Sequence, residues 1–278
     1  MTFRFILVLS LISSILAYSQ IDSIDSIIQI QPDEKIYDGR VHLTFGWFLP
    51  TIKSSGQLNA PKGNIGTTIN LEAAFKLPRT RQLFRLEGLY RFNNVSSVDL
   101  YYYALNRSGT SVSRDSLVVF GNIVIPLGAD LDAYFNVSLF GGRYHYSIVN
   151  NEDFESGLSV GISFLDVDMG AKWKILNSSD EESYADLLFL PVFGIFNRVR
   201  FWDDFTLRNQ INLFALDIER YAGTLFDFTI SLEYLIQKYV SIGAAYNAFN
   251  LDVDFNTGKT GRIQYGHRGF VLYASVIF

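Results

Sequence analysis

Three short acidic motifs are the residues whose spacing points most directly to chemistry. Each motif places two carboxylates two positions apart, which puts both side chains on one face of a β-strand. Carboxylate oxygens bind calcium and magnesium, and rings of carboxylates set the selectivity of cation channels. We therefore expect a site that attracts cations or binds a divalent ion where the fold brings these motifs together. The six acids are Asp166, Asp168, Asp217, Glu219, Asp252 and Asp254.

The same six acids have a second interpretation, in which they only end strands in water or pair with nearby cations. The cations expected at the same end of the fold are Arg85, Lys172, Arg220 and Arg262. Both interpretations stay open from the sequence alone.

His145 and Ser147 form the one pattern that points to catalysis. They are two positions apart, hence on one strand face, and a base beside a hydroxyl is what acyl transfer requires. The segment resembles the His-x-Ser element of outer-membrane lipid A deacylases and phospholipases. This resemblance implies a lipid-modifying hydrolase, which we keep as the alternative to a non-enzymatic role.

Alternation of apolar and polar residues continues through most of the chain after residue 40. This period of two is typical of strands with one face in lipid and one in a polar interior. An arginine that faces lipid near the bilayer centre costs roughly 2–4 kcal/mol, so the charged face of each strand must point inward. The predicted strands are residues 41–49, 82–92, 98–106, 131–146, 157–169, 184–200, 205–219, 222–236, 239–255 and 263–278.

These segments predict an all-β fold, an antiparallel up-and-down transmembrane β-barrel of about ten strands. Two further extended segments, residues 67–77 and 117–127, raise the count to twelve if they pair, but we place both in loops. Barrels of this kind have short periplasmic turns and longer extracellular loops. We predict short turns at residues 93–94, 150–153, 202–204 and 237–238, and longer loops after Leu49, Asn106, Ala171, Glu219 and Phe255.

A second set of charged residues is expected to line the lumen of this barrel. Barrels of this size have interiors just wide enough for side chains to fill. A lumen closed by its own ion pairs and a narrow channel for small solutes therefore both remain open. The inward set comprises Arg85, Glu87, Arg91, Asp99, Arg143, Arg208, Asp227 and Glu233.

The two ends of the chain indicate export. Arg4, an apolar run over residues 5–17 and the small residues Ala17 and Ser19 have the layout of a signal peptide, predicted as residues 1–19. Residues 20–38 are acidic and weakly patterned, and we expect a periplasmic tail there. The barrel is predicted over residues 39–278. Its last strand alternates and ends on Phe278, which resembles the signal that the barrel assembly machinery recognises in outer-membrane barrels.

The composition excludes several classes of site. The chain has no cysteine, so it forms no disulfide and no thiolate metal site. Its net charge of −5 gives no indication of nucleic-acid binding, which favours a basic surface. Aromatic residues make up 15% of the chain, and we expect most of those near strand ends to form interfacial girdles. We expect no cofactor.

Four stretches of the first third resemble an uncharacterised family of Gram-negative outer-membrane β-barrel proteins. This resemblance implies a barrel in the bacterial outer membrane and no particular activity. The stretches are residues 46–50 (GWFLP), 66–72 (GTTINLE), 84–92 and 105–109 (LNRSG).

The sequence thus predicts an integral outer-membrane barrel without enzymatic activity. It acts either as a narrow channel for small polar or cationic solutes or as a structural and surface-interaction barrel. The expected partners are outer-membrane lipid, lipopolysaccharide and, during biogenesis, the barrel assembly machinery.

Overall fold

The computed structural model describes residues 40–59, 67–113, 118–120, 123–202, 204–218, 221–256 and 260–278. The predicted signal peptide and tail, together with Glu219 and Arg220, lie outside the described residues. Within the described ranges no helix is long and apolar enough to span a bilayer, a finding that does not concern crossing by strands.

Alternating sequence produces strands over most of the described chain. The elements are β1 (Val41–Leu58), β2 (Ile69–Asn70), α1 (Leu71–Ala74), β3 (Leu83–Arg91), β4 (Ser96–Val112), β5 (Val118–Phe120), β6 (Ile123–Ile125), β7 (Asp130–Asn150), β8 (Phe154–Ile175), β9 (Ser178–Phe201), β10 (Phe205–Ile218), β11 (Tyr221–Gln237), β12 (Val240–Asn256) and β13 (Thr260–Ile277).

Ten of the described strands form one closed antiparallel ring. Each pairs with its neighbour in the order β1, β3, β4, β7 and then β8 to β13, and β13 pairs with β1 to close the ring. The two-residue strand β2 is attached to β1, and β5 pairs only with β6. The predicted up-and-down transmembrane barrel is therefore confirmed. Within the described residues neither additional segment supplies a ring strand, since β2 has only two residues and β5 pairs only with β6.

A band of apolar side chains surrounds the outside of the ring. On β1, Leu43, Phe45, Trp47 and Leu49 are exposed, whereas the alternate side chains point inward and Phe48 is fully buried. The other ring strands continue this apolar band at the same height. A strand crosses the hydrocarbon in roughly 9–11 residues, so this band is the surface that lies in lipid.

Most ring strands are longer than the bilayer requires. All except β3 have 14 to 24 residues. The predicted short turns lie at one end of the barrel, which we call the short-turn end. At the opposite end the strands extend past the apolar band, and we call this the projecting end. There the predicted long loops after Ala171 and Phe255 are wrong. For example, β8 continues to Ile175, and only Leu176 and Asn177 separate it from β9.

The interior changes polarity along the barrel axis. Near the short-turn end the inward side chains are charged or polar, including Arg143, His145 and Glu155. Towards the projecting end they become a continuous apolar core, in which Ile52 and Leu165 have no exposed surface. Apolar side chains turn inward there because the outer face of this part meets water and not lipid.

A short segment of the chain completes the wall between β1 and β4. The ladder between β1 and β3 ends at Phe48 and Leu83, although β1 and β4 both continue. Residues 69–82 fill this position, and we call them the wall patch. The patch is tied to β1 by the Ile52 N–H, which donates to the Arg79 carbonyl (2.7 Å), and to β4 by the Ser111 hydroxyl, which donates to the Ala74 carbonyl (2.6 Å).

Candidate functional site

The lumen at the short-turn end contains the charged residues that the sequence places inward. Alternation and contacts put the whole set on the inner face: Arg85, Glu87, Arg91, Asp99, Arg143, Arg208, Asp227 and Glu233. Arg143 donates to both oxygens of Asp99 (2.6 and 3.0 Å), and His145 Nε2 lies 3.1 Å from the same carboxylate. The charges of Arg143 and Asp99 thus neutralise each other locally, which lowers the free energy of burying them.

Glu155 is the centre of a second cluster that the sequence analysis missed. Its carboxylate accepts hydrogen bonds from Arg91 (3.1 and 3.2 Å), Arg198 (2.5 Å) and the Ser147 hydroxyl (2.5 Å). The predicted turn ended at residue 153 and the predicted strand began at Gly157, so Glu155 belonged to neither. The inward residues of β8 have odd numbers, and Glu155 shares this parity. Extending the strand back by two residues would therefore have predicted that Glu155 faces the lumen.

The remaining lumen acids are held mainly by neutral donors. Glu233 accepts from Arg208 (2.9 Å) and from the Tyr273 hydroxyl (3.2 Å). Asp227 accepts from the side-chain amides of Asn212 (3.0 Å) and Asn247 (2.8 Å). This extensive bonding fixes the side chains in place, because moving any one would leave a buried polar group unpaired.

A polar cavity lies among these clusters. Its volume is about 130 Å³, and Arg85, Asp99, Arg143 and Glu155 line it. A polar cavity of this volume has room for several water molecules. Water in this cavity can therefore hydrate the charged groups, but the hydrogen-bonded side chains that line the cavity keep its volume small.

The wall patch closes the lumen above this cavity with a buried ion pair. Arg107 on β4 donates to Glu72 on α1 (2.6 Å), and the Ser54 hydroxyl donates to the same carboxylate (2.7 Å). Across the lumen, an added Cβ on Gly56 would lie 3.4 Å from the Met169 sulfur on β8. The opposite walls are therefore in contact, and the described side chains fill the cross-section.

The mouth at the projecting end is covered by the loop between β4 and β7. The backbone of β5 lies close to β1, and that of β6 lies close to β9, so this hairpin spans the opening. Ile125 and Ala129 are buried beneath it.

The acidic motifs lie on the outer face of the projecting end and do not line its mouth. Asp166 and Asp168 alternate with Leu165 and Val167, whose side chains occupy the apolar core. Asp217, Asp252 and Asp254 face outward in the same way, and Glu219 lies outside the described residues. The five described acids therefore form no cation site inside the barrel mouth, because the interior at this height is apolar.

One acidic motif pairs with a cation, as the second interpretation expects. Arg262 donates two hydrogen bonds to Asp252 (2.7 and 2.6 Å), and Gln264 adds a third (2.9 Å). Both charged residues lie beyond the apolar band. The hydrogen bonds from Arg262 hold the pKa of Asp252 below its usual range against the opposing effect of burial, and the bond from Gln264 lowers this pKa further.

His145 and Ser147 face the lumen together, but they have different partners. His145 lies beside Asp99, whereas the Ser147 hydroxyl donates to Glu155, and both residues are buried. Their inner-face position separates them from the lipid that a deacylase or phospholipase would attack. Within the described ranges no three His, Asp or Glu residues are grouped so that they could hold a metal ion.

The aromatic residues divide between the girdles and the interior. Trp47, Tyr102 and Tyr146 are exposed on the outer face, as expected for girdle residues. Tyr101 and Tyr103 are buried in the lumen, which a girdle assignment based on strand ends did not anticipate.

The closed antiparallel ring, its apolar band and its filled polar lumen define a transmembrane β-barrel. No family model and no curated protein matches the chain. Among solved structures, the outer membrane protease OmpT from Escherichia coli is similar over 87% of this chain and 97% of its own, with 10% identity and a TM-score of 0.55. At this identity the likeness shows the fold alone.

Two further structures resemble the chain more weakly. The transport unit of the autotransporter AIDA-I from Escherichia coli has 10% identity and a TM-score of 0.40, covering 91% of this chain and 94% of its own. The toluene transporter TodX from P. putida has 8% identity and a TM-score of 0.35, covering 87% and 90%.

Proposed function

We propose that the protein is an integral barrel of the bacterial outer membrane that has no open pore and no enzymatic activity. It serves as a structural or surface-interaction barrel. The observation that supports this proposal is the buried contact of Glu72 with Arg107 and Ser54 inside the apolar core. An ion would have to lose its hydration shell to pass through such a layer, and this loss costs several kcal/mol or more.

The projecting end is the part that meets partners. Extracellular loops are longer than periplasmic turns in barrels of this kind, so we orient the projecting end outward from the cell. Its outer face bears Asp166, Asp168 and Asp217. Lys53 and Arg268 are exposed where the apolar band ends, at the height of anionic lipid headgroups. This charge distribution fits contact with lipopolysaccharide, and the barrel assembly machinery is the expected partner during insertion.

The narrow channel is the competing function, and single-channel recording distinguishes the two. We expect refolded protein in planar bilayers to give no steady openings in a salt gradient. A variant that replaces residues 67–82 with a short flexible link should conduct, because the wall and the Glu72–Arg107 contact are both removed. Lys172→Gln is the control, because it breaks only an exposed ion pair with Glu181 (3.7 Å), and this variant should not conduct. Steady cation-selective openings of the unmodified protein would refute the proposal.

A further inference from the structure

The barrel wall has a second gap, between β9 and β10, near the projecting end. The ladder between these strands ends at Phe193 and Leu213. Beyond that pair, β9 continues and pairs only with β8, while β10 continues and pairs only with β11. We call residues 187–192 and 214–218 the lateral seam. Among the described residues, no backbone pairs across it.

Pro191 explains why the ladder ends there. The Arg200 N–H donates to the Asp153 carbonyl (2.7 Å), so the even-numbered residues of β9 bond to β8. The register between β8 and β9 has no irregularity, so the odd-numbered residues bond to β10. After Phe193, the next such residue is Pro191, which has no N–H to donate. Proline in a strand makes that side an edge.

Pro50 has the same effect on β1, but its gap is covered. The Arg91 N–H donates to the Arg40 carbonyl (2.8 Å), so even-numbered residues of β1 bond towards β3. Pro50 follows Phe48, the last residue of the ladder with β3. The wall patch occupies that gap and supplies hydrogen bonds to it. The two prolines therefore provide an internal comparison: the wall patch closes one gap, and no described segment forms backbone hydrogen bonds across the other.

The lateral seam connects lipid with the apolar core. On its outer side, Phe189 and Phe193 are exposed and belong to the apolar band, and the exposed fraction of Phe193 is 65%. On its inner side, Leu190 and Phe214 are buried in the core. A groove of about 790 Å³ runs over the outer wall from the seam towards β1; Phe193, Leu213 and Phe214 line its end at the seam, and polar residues such as Asp252 and Gln264 line the part farther away.

The seam has a closed upper end. The Tyr221 hydroxyl on β11 donates to the Asp186 carboxylate on β9 (3.1 Å) across the gap. The opening is therefore bounded by this hydrogen bond above and by the Phe193–Leu213 pair below. Its lower part, from Phe189 to Phe193, lies at the height of the apolar band.

We propose that the lateral seam is a docking site for an acyl chain of a lipid from the surrounding bilayer. The end of the groove at Phe193 and Leu213 adjoins the lipid-facing band, so an acyl chain reaches the seam without crossing water. Backbone groups left unpaired in hydrocarbon cost several kcal/mol each. An acylated lipid carries ester and hydroxyl groups beside its chains, and these can pair with seam backbone groups that have no strand partner, such as those of Phe189, which a plain hydrocarbon cannot do. The Leu187 N–H already donates to the Asp186 carboxylate (2.8 Å).

Photo-crosslinking tests this proposal. The refolded protein is placed in phosphatidylcholine vesicles that contain a phospholipid with a diazirine in its acyl chain, and labelled residues are mapped by mass spectrometry. We expect labels on the inward residues Leu188, Leu190 and Val192, besides those on the outward Phe45 and Phe270. Labels confined to outward residues would overturn the proposal.

Variants of the two prolines provide the control. Pro191→Val restores an N–H and extends the ladder, so we expect labelling of Leu188, Leu190 and Val192 to fall about tenfold relative to Phe45, the ratio that one regained backbone hydrogen bond provides. Pro50→Val makes the same chemical change where the wall patch already covers the gap, and labelling should not change. Inward labelling that persists in Pro191→Val would exclude entry through the seam.

Discussion

Glu72 on α1 and Arg107 on β4 form an ion pair of 2.6 Å whose side chains are 2% and 0% exposed. The pair joins a loop segment to the barrel wall in the middle of an apolar core. Such a pair gains little net stability over apolar packing, but breaking it leaves a charge without compensation. This pair holds the wall patch in place, because moving the patch away would leave the Arg107 charge in the core without its carboxylate partner.

Removing one partner of this pair should destabilise the barrel strongly. We expect Glu72→Ala to lower the free energy of unfolding by about 3–5 kcal/mol, because Arg107 remains buried without its carboxylate. Urea unfolding in lipid vesicles, followed by tryptophan fluorescence, measures the difference. Lys172→Gln should change it by less than about 1 kcal/mol, because the Lys172–Glu181 pair is exposed.

Replacing both partners separates the charge effect from the packing effect. The double variant Glu72→Leu with Arg107→Met should recover most of the stability lost in Glu72→Ala, because apolar residues of similar volume suit this core. If the double variant is as unstable as Glu72→Ala, the hydrogen bonds of the pair, and not an unpaired charge, account for the loss.

The Tyr101 ring packs against Gly141 and leaves no room for a side chain at that position. A Cβ added to Gly141 would collide with the Tyr101 ring, whose hydroxyl is bonded to Ser163 (2.5 Å) and whose face lies 4.5 Å from the Arg143 guanidinium carbon. We expect Gly141→Ala to cost about 1–3 kcal/mol of unfolding free energy through this overpacking. Gly88→Ala is the control, since its nearest neighbour would be an outward leucine side chain at 3.6 Å. Equal losses of unfolding free energy in Gly141→Ala and Gly88→Ala would show that the backbone effect of replacing glycine, and not the collision with Tyr101, accounts for the loss.

Ser147 should matter for stability and not for lipid chemistry. Its hydroxyl donates to the buried Glu155 carboxylate (2.5 Å). A hydrogen bond to a charged group contributes roughly 1.5–3 kcal/mol, so Ser147→Ala should lower stability by about that amount. Incubation with lipid A and phospholipid, with released fatty acid quantified, should give the same background for both proteins. Fatty-acid release by the unmodified protein that Ser147→Ala abolishes would instead establish the hydrolase alternative.

The pair of Asp252 and Arg262 should give a small stability term that depends on pH. Hydrogen bonds from Arg262 hold the pKa of Asp252 below its usual range. Its stabilisation is therefore present above the ordinary aspartate pKa and is lost as the pH falls through the lower folded value. Asp252→Asn should lower stability at pH 7 by less than about 1 kcal/mol, because the pair is partly exposed. The difference between the variant and the unmodified protein should disappear in strong acid. A difference that persists there would contradict the charge assignment.

Most of the ring could be predicted because lipid enforces strict alternation. The inward assignments of Arg85, Glu87 and Arg91 follow from the cost of a charge in hydrocarbon, and in the structure Arg85 pairs with Glu87 on the inner face. Glu72 could not be assigned a partner, because its segment has no alternation and Arg107 lies 35 positions away on a strand predicted to end at Asn106.

The orientation of the acidic motifs could not be predicted from the sequence, for a physical reason. A period of two shows which residues share a face, but only the surroundings decide which face is inside. The sequence predicts only that Asp166 and Asp168 share one face near a strand end, and it does not say whether that face is inside. Beyond the bilayer, water lies outside the wall, so Leu165 turns inward and Asp166 outward. Pro191 was a readable signal for an incomplete ladder, since proline marks an edge strand.

The change of polarity along each strand also fixes the depth of the barrel in the membrane. Phe140, Phe164 and Phe189 form a row of contacting rings on the outer face, with centroids 6.4 and 5.6 Å apart, and Asp166 follows Phe164 by two residues. Two residues of a strand span about 7 Å. Sinking by that distance would put Asp166 into hydrocarbon, and rising by it would expose the three rings to water. The barrel therefore cannot slide along the membrane normal, and any molecule that approaches from outside meets its tip at a constant height above the lipid.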